Sequence, residues 1–190
     1  MERKVVIKWL KIFSISFLIL SLVGLVDLIL FSTIINVTLD TQQFNILTII
    51  FQSGFMSPHA ALLWIILLSV FCGYIVFSYS IFKVANKNTI KSEILAKFLL
   101  LIGLFLIIGG FITMNFIVLL GNSNINTGVY NEMFQNALFS PSITPIFGAI
   151  MWFYFTVVIC CFLTSGLIFG GIGLKWMLLI QEEESASKPS

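Results

Sequence analysis

Residues 98–120 read FLLLIGLFLIIGGFITMNFIVLL, a stretch without a single charged residue. A transmembrane α-helix needs about 20 consecutive, predominantly apolar residues to cross the hydrocarbon core of a bilayer. Three other stretches are long and apolar enough to meet this requirement. They are Ile12–Ile35, Ala60–Val84 and Ile146–Gly173. The sequence therefore predicts four transmembrane helices.

The composition indicates the same class of protein. Hydrophobic residues make up 59% of the chain and charged residues 9%, whereas soluble domains are about 45–50% apolar and about 25% charged. Little sequence remains outside the four apolar stretches, so we expect an all-α integral membrane protein with one four-helix domain over residues 1–181. Residues 182–190 are acidic and serine-rich, and we expect them to form a disordered cytoplasmic tail.

The distribution of basic residues predicts the orientation in the membrane. Of the ten lysines and arginines, four lie in the N-terminal segment, four lie around the connection between spans two and three, and two follow span four. The other two connections, residues 36–57 and 120–140, contain none. Because basic residues concentrate in cytoplasmic segments, we predict a multipass plasma-membrane protein with both termini in the cytoplasm. Tyr74, Tyr79 and Lys83 then form an aromatic and basic border at the inner end of span two.

The two connections that we predict to lie outside contain similar octapeptides. Phe51–Pro58 reads FQSGFMSP and Phe134–Pro141 reads FQNALFSP, with four of eight positions identical. Each copy lies between two apolar stretches, which favours tandem duplication of a two-helix hairpin with repeats at residues 1–84 and 94–176. Chance similarity is the alternative.

Both octapeptides end in a residue pair that is typical of a helix start. Serine is a favoured N-cap and proline is tolerated at the first helical position. We therefore expect Ser57 with Pro58, and Ser140 with Pro141, to cap the outer ends of spans two and four. The pair Thr144–Pro145 is a second candidate cap, about one turn later.

Apolar residues at helical spacing precede both octapeptide ends, and this spacing predicts a short amphipathic helix in the membrane interface in each connection. The residues are Phe44, Leu47, Phe51 and Phe55 in the first connection, and Tyr130, Met133, Phe134, Ala137 and Leu138 in the second.

One acid lies well inside a predicted span. Asp27 is nearer the outer end of span one, and Thr113 and Asn115 lie at a comparable depth in span three. Because an ionisable group within a membrane is costly, it marks a functional site by default, and we take these three residues as a candidate intramembrane polar site. A structural hydrogen bond to a neighbouring helix and a wet interfacial position are the alternatives.

Four glycines are candidates for close helix packing, because small residues let helix backbones approach one another in lipid. These are Gly103 and Gly109 in span three, and Gly166 with Gly170 in span four, which have the GxxxG spacing. A hinge in span three is the alternative.

The residues that usually carry chemistry are sparse. His59 is the single histidine, so the chain cannot supply two histidine ligands to a haem. We interpret Cys72, Cys160 and Cys161 as small packing residues, and we predict no metal site, no cofactor and no nucleic-acid partner. Asn36 begins a sequon for N-glycosylation, Asn-Val-Thr.

Three functions remain open. The first is a non-catalytic structural or accessory subunit of a larger membrane complex, with the lipid bilayer, other membrane subunits or further copies of this chain as partners. The second is a small-solute or ion transporter or channel built as an oligomer, with Asp27 facing its cavity. The third is a quinone-linked membrane redox subunit. No catalytic constellation supports an enzyme that acts alone.

Overall fold

The computed structural model describes residues 3–52, 54–87, 91–127 and 129–186, with side chains described up to residue 182. In these ranges the elements are α1 (Arg3–Ile34), β1 (Asn36–Leu39), β2 (Gln42–Asn45), α2 (Ile46–Phe51), α3 (Pro58–Ala85), α4 (Ser92–Gly121), β3 (Asn124–Asn126), β4 (Asn131–Met133), α5 (Phe134–Phe139) and α6 (Ile146–Ala186).

Four of these helices, α1, α3, α4 and α6, are long and apolar enough to cross a membrane, which confirms the four predicted spans. The start of α1, the end of α3, the start of α4 and the end of α6 lie at the same end of the bundle. We call it the basic end because the described lysines and arginines lie there. The four strands, α2 and α5 lie at the opposite end, which we call the hairpin end.

The four long helices form a ring in the order α1, α3, α4, α6. α1 packs mainly on α3 and α4 mainly on α6, and smaller contacts between α1 and α6 and between α3 and α4 close the ring. Large aromatic side chains fill the centre, where each buries a wide apolar surface. The buried rings belong to Phe17, Phe31, Trp64, Phe71, Tyr74, Trp152, Phe155 and Phe162.

The connections at the hairpin end contain two β-hairpins that the sequence reading did not predict. Asn36 lies opposite Asn45 in the first and Asn124 opposite Met133 in the second. The predicted amphipathic helices do not extend over their apolar series, because Phe44 lies in β2, Met133 lies in β4 and Tyr130 precedes β4. A six-residue helix follows each hairpin instead, namely α2 and α5. Pairing of the strands gives hydrogen-bond partners to backbone N–H and C=O groups that a six-residue helix would leave unpaired at its ends.

The two octapeptides lie at different places in the fold, contrary to the prediction. Ser57 is the N-cap of α3 and Pro58 its first residue, although the Ser57 side chain makes no capping hydrogen bond. Ser140, in contrast, follows the last residue of α5, and Pro141 begins a turn. The turn delays α6 until Ile146, so the cap prediction for Ser140 and Pro141 is wrong.

The C-terminal end of α6 also differs from the expectation of a disordered tail from residue 182. The helix continues to Ala186. Residues 187–190 lie outside the described residues.

Candidate functional site

Asp27 is half-buried on α1, and its side chain carries an unusual oxygen. Oδ2 is buried and accepts no hydrogen bond from any described residue. Asp27 is close enough to Tyr154 on α6 for an electrostatic interaction with the tyrosine hydroxyl. Because a buried polar atom without a partner is costly, Asp27 remains the strongest candidate for a polar site within the membrane.

Thr113 and Asn115 do not join Asp27 in a polar line. The Thr113 hydroxyl donates to the carbonyl oxygen of Gly109 at 2.7 Å and shares a second hydrogen bond of 3.2 Å with the Tyr74 hydroxyl. The amide of Asn115 faces outward and donates to Phe111 on its own helix at 2.8 Å. Among the described residues, no hydrogen bond connects either side chain to Asp27.

Tyr74 occupies the centre of the bundle rather than its inner border. Its side chain is 2% exposed, and its ring centroid lies 4.6 Å from that of Phe162 and 5.8 Å from that of Phe17. The sequence contains a signal for this position, because Leu67, Phe71 and Tyr74 recur at helical spacing and are all buried. Tyr74 and Thr113 are therefore the polar pair of the core.

Glycines bring the backbones of α4 and α6 into contact. A Cβ atom at Gly103 would lie 2.3 Å from the backbone nitrogen of Gly170 and 2.8 Å from the carbonyl oxygen of Gly166. Gly173, which was not among the predicted packing glycines, fits as closely: a Cβ there would lie 2.5 Å from a backbone nitrogen of α4. Gly109 has a different neighbour, because its Cβ would meet the Tyr74 hydroxyl at 3.1 Å.

Hydrogen bonds link the two connections at the hairpin end. The backbone N–H of Thr38 donates to the carbonyl oxygen of Ile143 at 2.8 Å. The N–H of Asn126 donates to the carbonyl oxygen of Phe55, also at 2.8 Å. A third link joins side chains, since the Thr127 hydroxyl donates to the carboxylate of Asp40. Each hairpin is thus held by the connection of the other half of the chain.

Two polar features lie on the surface of the hairpin end. The Tyr130 hydroxyl donates to the Glu132 carboxylate, and burial, followed by this hydrogen bond, raises the pKa of the Tyr130 phenol. Asn36, the sequon residue, is exposed and lines a groove of about 300 Å³ together with Gln43 and Ser142.

The described residues contain no group of three or more His, Cys, Asp and Glu side chains that could hold a metal ion. The three cysteines are free and exposed, so they do not pack in the core of this chain. No protein-family model, no curated protein and no solved structure shows significant similarity to the chain.

Proposed function

We propose that this chain is a non-catalytic accessory or structural subunit of a larger membrane complex. The observation that carries the proposal is a groove of about 440 Å³ on the outward face of α6, which we call the α6 groove. Small and hydroxyl-bearing side chains dominate its lining. The residues are Phe153, Thr156, Val157, Cys160, Cys161, Thr164 and Ser165.

Such a surface fits another helix better than it fits lipid tails. Small residues on a membrane helix allow a partner helix to approach closely, and the gain comes from van der Waals packing and interhelical hydrogen bonds. The Thr164 hydroxyl already donates to the Cys160 carbonyl oxygen at 2.8 Å, so the groove tolerates an apolar partner.

The filled centre of the bundle argues in the same direction. A pore needs polar groups along its lining. In this chain, buried aromatic rings, among them Phe17, Phe31 and Trp152, occupy the centre of the bundle. A single copy therefore offers packing surfaces rather than a polar conduit.

The experiment is a comparison of two equally bulky substitutions. Cys160→Phe fills the α6 groove, and Val76→Phe places the same ring on the outward face of α3, where the native side chain is 65% exposed. After extraction in a mild detergent, we expect the wild type and Val76→Phe to copurify with other polypeptides in fixed ratio, and Cys160→Phe to lose them. A stable lone wild-type monomer, or an undiminished complex with Cys160→Phe, contradicts the proposal.

We further propose that the basic end lies in the cytoplasm, at the plasma membrane. All lysines and arginines of the chain support this orientation through the positive-inside rule. A cysteine introduced at Gln42 in the first hairpin is then expected to react with an impermeant maleimide in intact cells. A cysteine at Lys87, in the α3–α4 connection, is expected to react after lysis. Reversed labelling refutes the orientation.

We also propose that the chain arose by tandem duplication, in a register other than that of the octapeptides. Asn36 and Asn124, which open β1 and β3, lie 88 residues apart, and so do Pro58 and Ile146, which open α3 and α6. Every buried residue of α1 lies 89 residues before a buried residue of α4. The octapeptides are 83 residues apart and are not equivalent in this register.

Contacts at the hairpin end support the same register. Thr38 lies 88 residues before Asn126, and Phe55 lies 88 residues before Ile143. The hydrogen bond from Thr38 to Ile143 is therefore equivalent to the one from Asn126 to Phe55. The two halves run in the same direction through the membrane, as in parallel repeats related by an axis along the membrane normal. Alignment of relatives is expected to score the halves highest at 88 to 89 residues, and a maximum at 83 refutes this register.

One observation favours transport as a second candidate function, namely the unpartnered Oδ2 of Asp27. Vesicles reconstituted with Asp27→Asn are expected to lose solute or ion flux if Asp27 binds the transported species. Glu93→Gln is the control, because Glu93 pairs with Lys97 on the surface at 2.5 Å. Equal flux in wild type and Asp27→Asn excludes this role.

A further inference from the structure

A cavity of about 490 Å³ lies between α1, α4 and α6, toward the basic end. Ser16 of α1 and Ser165 of α6 both line it, and we call it the serine cavity. Phe13 and Phe169, whose ring centroids are 4.2 Å apart, pack against each other and form one aromatic wall. Trp9, which is 61% exposed, lies at its rim nearest the basic end. Its volume and its largely apolar lining are typical of small-molecule sites, which occupy about 300–1,000 Å³.

The two serines differ from the other serines inside the long helices. Six of those donate their hydroxyl hydrogen to a backbone carbonyl three or four residues earlier on the same helix. They are Ser14, Ser21, Ser32, Ser69, Ser78 and Ser80. Ser16, which is exposed, and Ser165, which is partly buried, line the same cavity, and no hydrogen bond joins either hydroxyl to another described residue. Two hydroxyl donors without partners in an apolar cavity are the electrostatic complement of a carbonyl oxygen.

The corresponding place in the other half of the bundle shows what shape fits here. In the proposed duplication, α1 residues lie 89 residues before their α4 counterparts, so Ser16 corresponds to Phe105. Residues of α3 lie 88 residues before their α6 counterparts, so Ser165 corresponds to Phe77. Those two rings stack on each other with their centroids 4.0 Å apart. The serine cavity is therefore the place that a stacked aromatic pair occupies between α3 and α4, and it offers room for a flat ring.

We propose that the serine cavity binds a lipid-soluble quinone, whose ring carbonyl oxygens accept hydrogen bonds from Ser16 and Ser165. The inference uses the register of the proposed duplication and does not depend on the accessory-subunit role. It concerns binding alone and includes no electron transfer.

The depth of the hydroxyls distinguishes a quinone from a phospholipid. Ser16 lies seven residues beyond Trp9 on α1, which is about 10 Å along a helix axis. Tryptophan lies preferentially at the membrane interface, where the ester and phosphate groups of a phospholipid lie as well. The acyl chain that reaches the depth of Ser16 has no acceptor for a hydroxyl, whereas a quinone ring within the hydrocarbon has two.

The test uses the full chain in phosphatidylcholine nanodiscs, titrated with decylubiquinone while tryptophan fluorescence is recorded. We expect saturable quenching, because Trp9 lies at the rim of the cavity. Ser16→Ala and Ser165→Ala are each expected to weaken the affinity about fivefold, the value of one neutral hydrogen bond. Ser69→Ala and Ser80→Ala are matched controls, since each removes an outward hydroxyl from α3, and both are expected to bind like the wild type.

A double variant tests the shape argument separately. Ser16→Phe with Ser165→Phe restores the aromatic pair of the other half, so it is expected to fold with unchanged helix content by circular dichroism and to lose saturable quenching. Linear, unsaturable quenching of the wild type overturns the proposal. Unchanged affinity in both alanine variants, or in the folded double variant, does so too. Retention of phosphatidylglycerol that depends on Lys8 and Lys175, without saturable quinone binding, assigns the cavity to a phospholipid instead.

Discussion

The glycine contact between α4 and α6 allows a sharp test of the packing. In Gly103→Ala the new methyl group would lie 2.3 Å from the backbone nitrogen of Gly170 and 2.4 Å from its Cα atom. Both atoms belong to the backbone, so no side-chain rotation relieves the overlap, and α4 and α6 must move apart. Overpacking of this kind costs about 1–3 kcal/mol, and a clash with two backbone atoms belongs at the upper end.

Alanine also has a favourable effect, because it is a better helix former than glycine by about 1 kcal/mol. The net expectation is a free energy of unfolding that is lower by about 2 kcal/mol in Gly103→Ala. Gly171→Ala is the matched control: a Cβ at Gly171 has no described heavy atom within 4 Å, so the variant is expected to equal the wild type or exceed it by up to about 1 kcal/mol.

The assay is unfolding in mixed micelles with a rising mole fraction of sodium dodecyl sulfate, followed by circular dichroism. Wild type, Gly103→Ala and Gly171→Ala are compared at the same mole fraction of sodium dodecyl sulfate. The differences in free energy between them then require no extrapolation to zero detergent. If Gly103→Ala is as stable as Gly171→Ala, the two backbones are not in contact at Gly103, and the proposed reason for the tight α4–α6 pair is wrong.

Three other substitutions probe single contacts. Tyr74→Phe removes the hydrogen bond with Thr113 while keeping the ring, and it is expected to lower the free energy of unfolding by about 1 kcal/mol in the same assay; no loss contradicts the pairing. Thr41→Gly relieves a β-branched residue at φ 73 and is expected to raise that free energy by about 1 kcal/mol; destabilisation excludes the left-handed turn. Glu132→Gln is expected to lower the pKa of Tyr130, measured by phenolate absorbance. The raised pKa stabilises the fold below the unfolded value of about 10, and this stability is lost as pH rises through the folded pKa. An unchanged titration contradicts the contact.

The membrane spans and the small residues that pack between them could be predicted from the sequence, because both depend only on distances along the chain. The thickness of the bilayer sets the length of an apolar stretch, so α1, α3, α4 and α6 follow from long runs of predominantly apolar residues. Gly166 and Gly170 are four residues apart and therefore lie on one face of α6, where they meet Gly103.

Whether polar side chains meet depends on the helix face they lie on as well as on their depth in the membrane. The predicted polar site was based on depth alone. Thr113 and Asn115 are two residues apart, so they point about 200° away from each other on a helix. One faces the core and the other faces outward. The hairpins were missed for a different reason: strands of three or four residues contain too few side chains to establish an alternating pattern, and β1 and β3 are held partly by backbone bonds from the other half.

In the proposed duplication register, differences between the two halves point to positions that packing does not explain. Both halves must pack, so each buried position of α1 has a buried counterpart in α4, with Ser14, Ser21 and Ser32 matching Gly103, Gly110 and Gly121 as small residues. Packing alone does not require a polar group where the other half has an aromatic ring. Away from the helix ends, where His59 corresponds to Phe147, three positions show this exchange in the register proposed above. They are Asp27 for Phe116, Ser16 for Phe105 and Ser165 for Phe77. A polar group within a membrane is costly unless something pairs with it. Since none of the three side chains accepts or donates a hydrogen bond among the described residues, their partners are best sought outside this chain, in a bound ligand, a transported species or a neighbouring subunit.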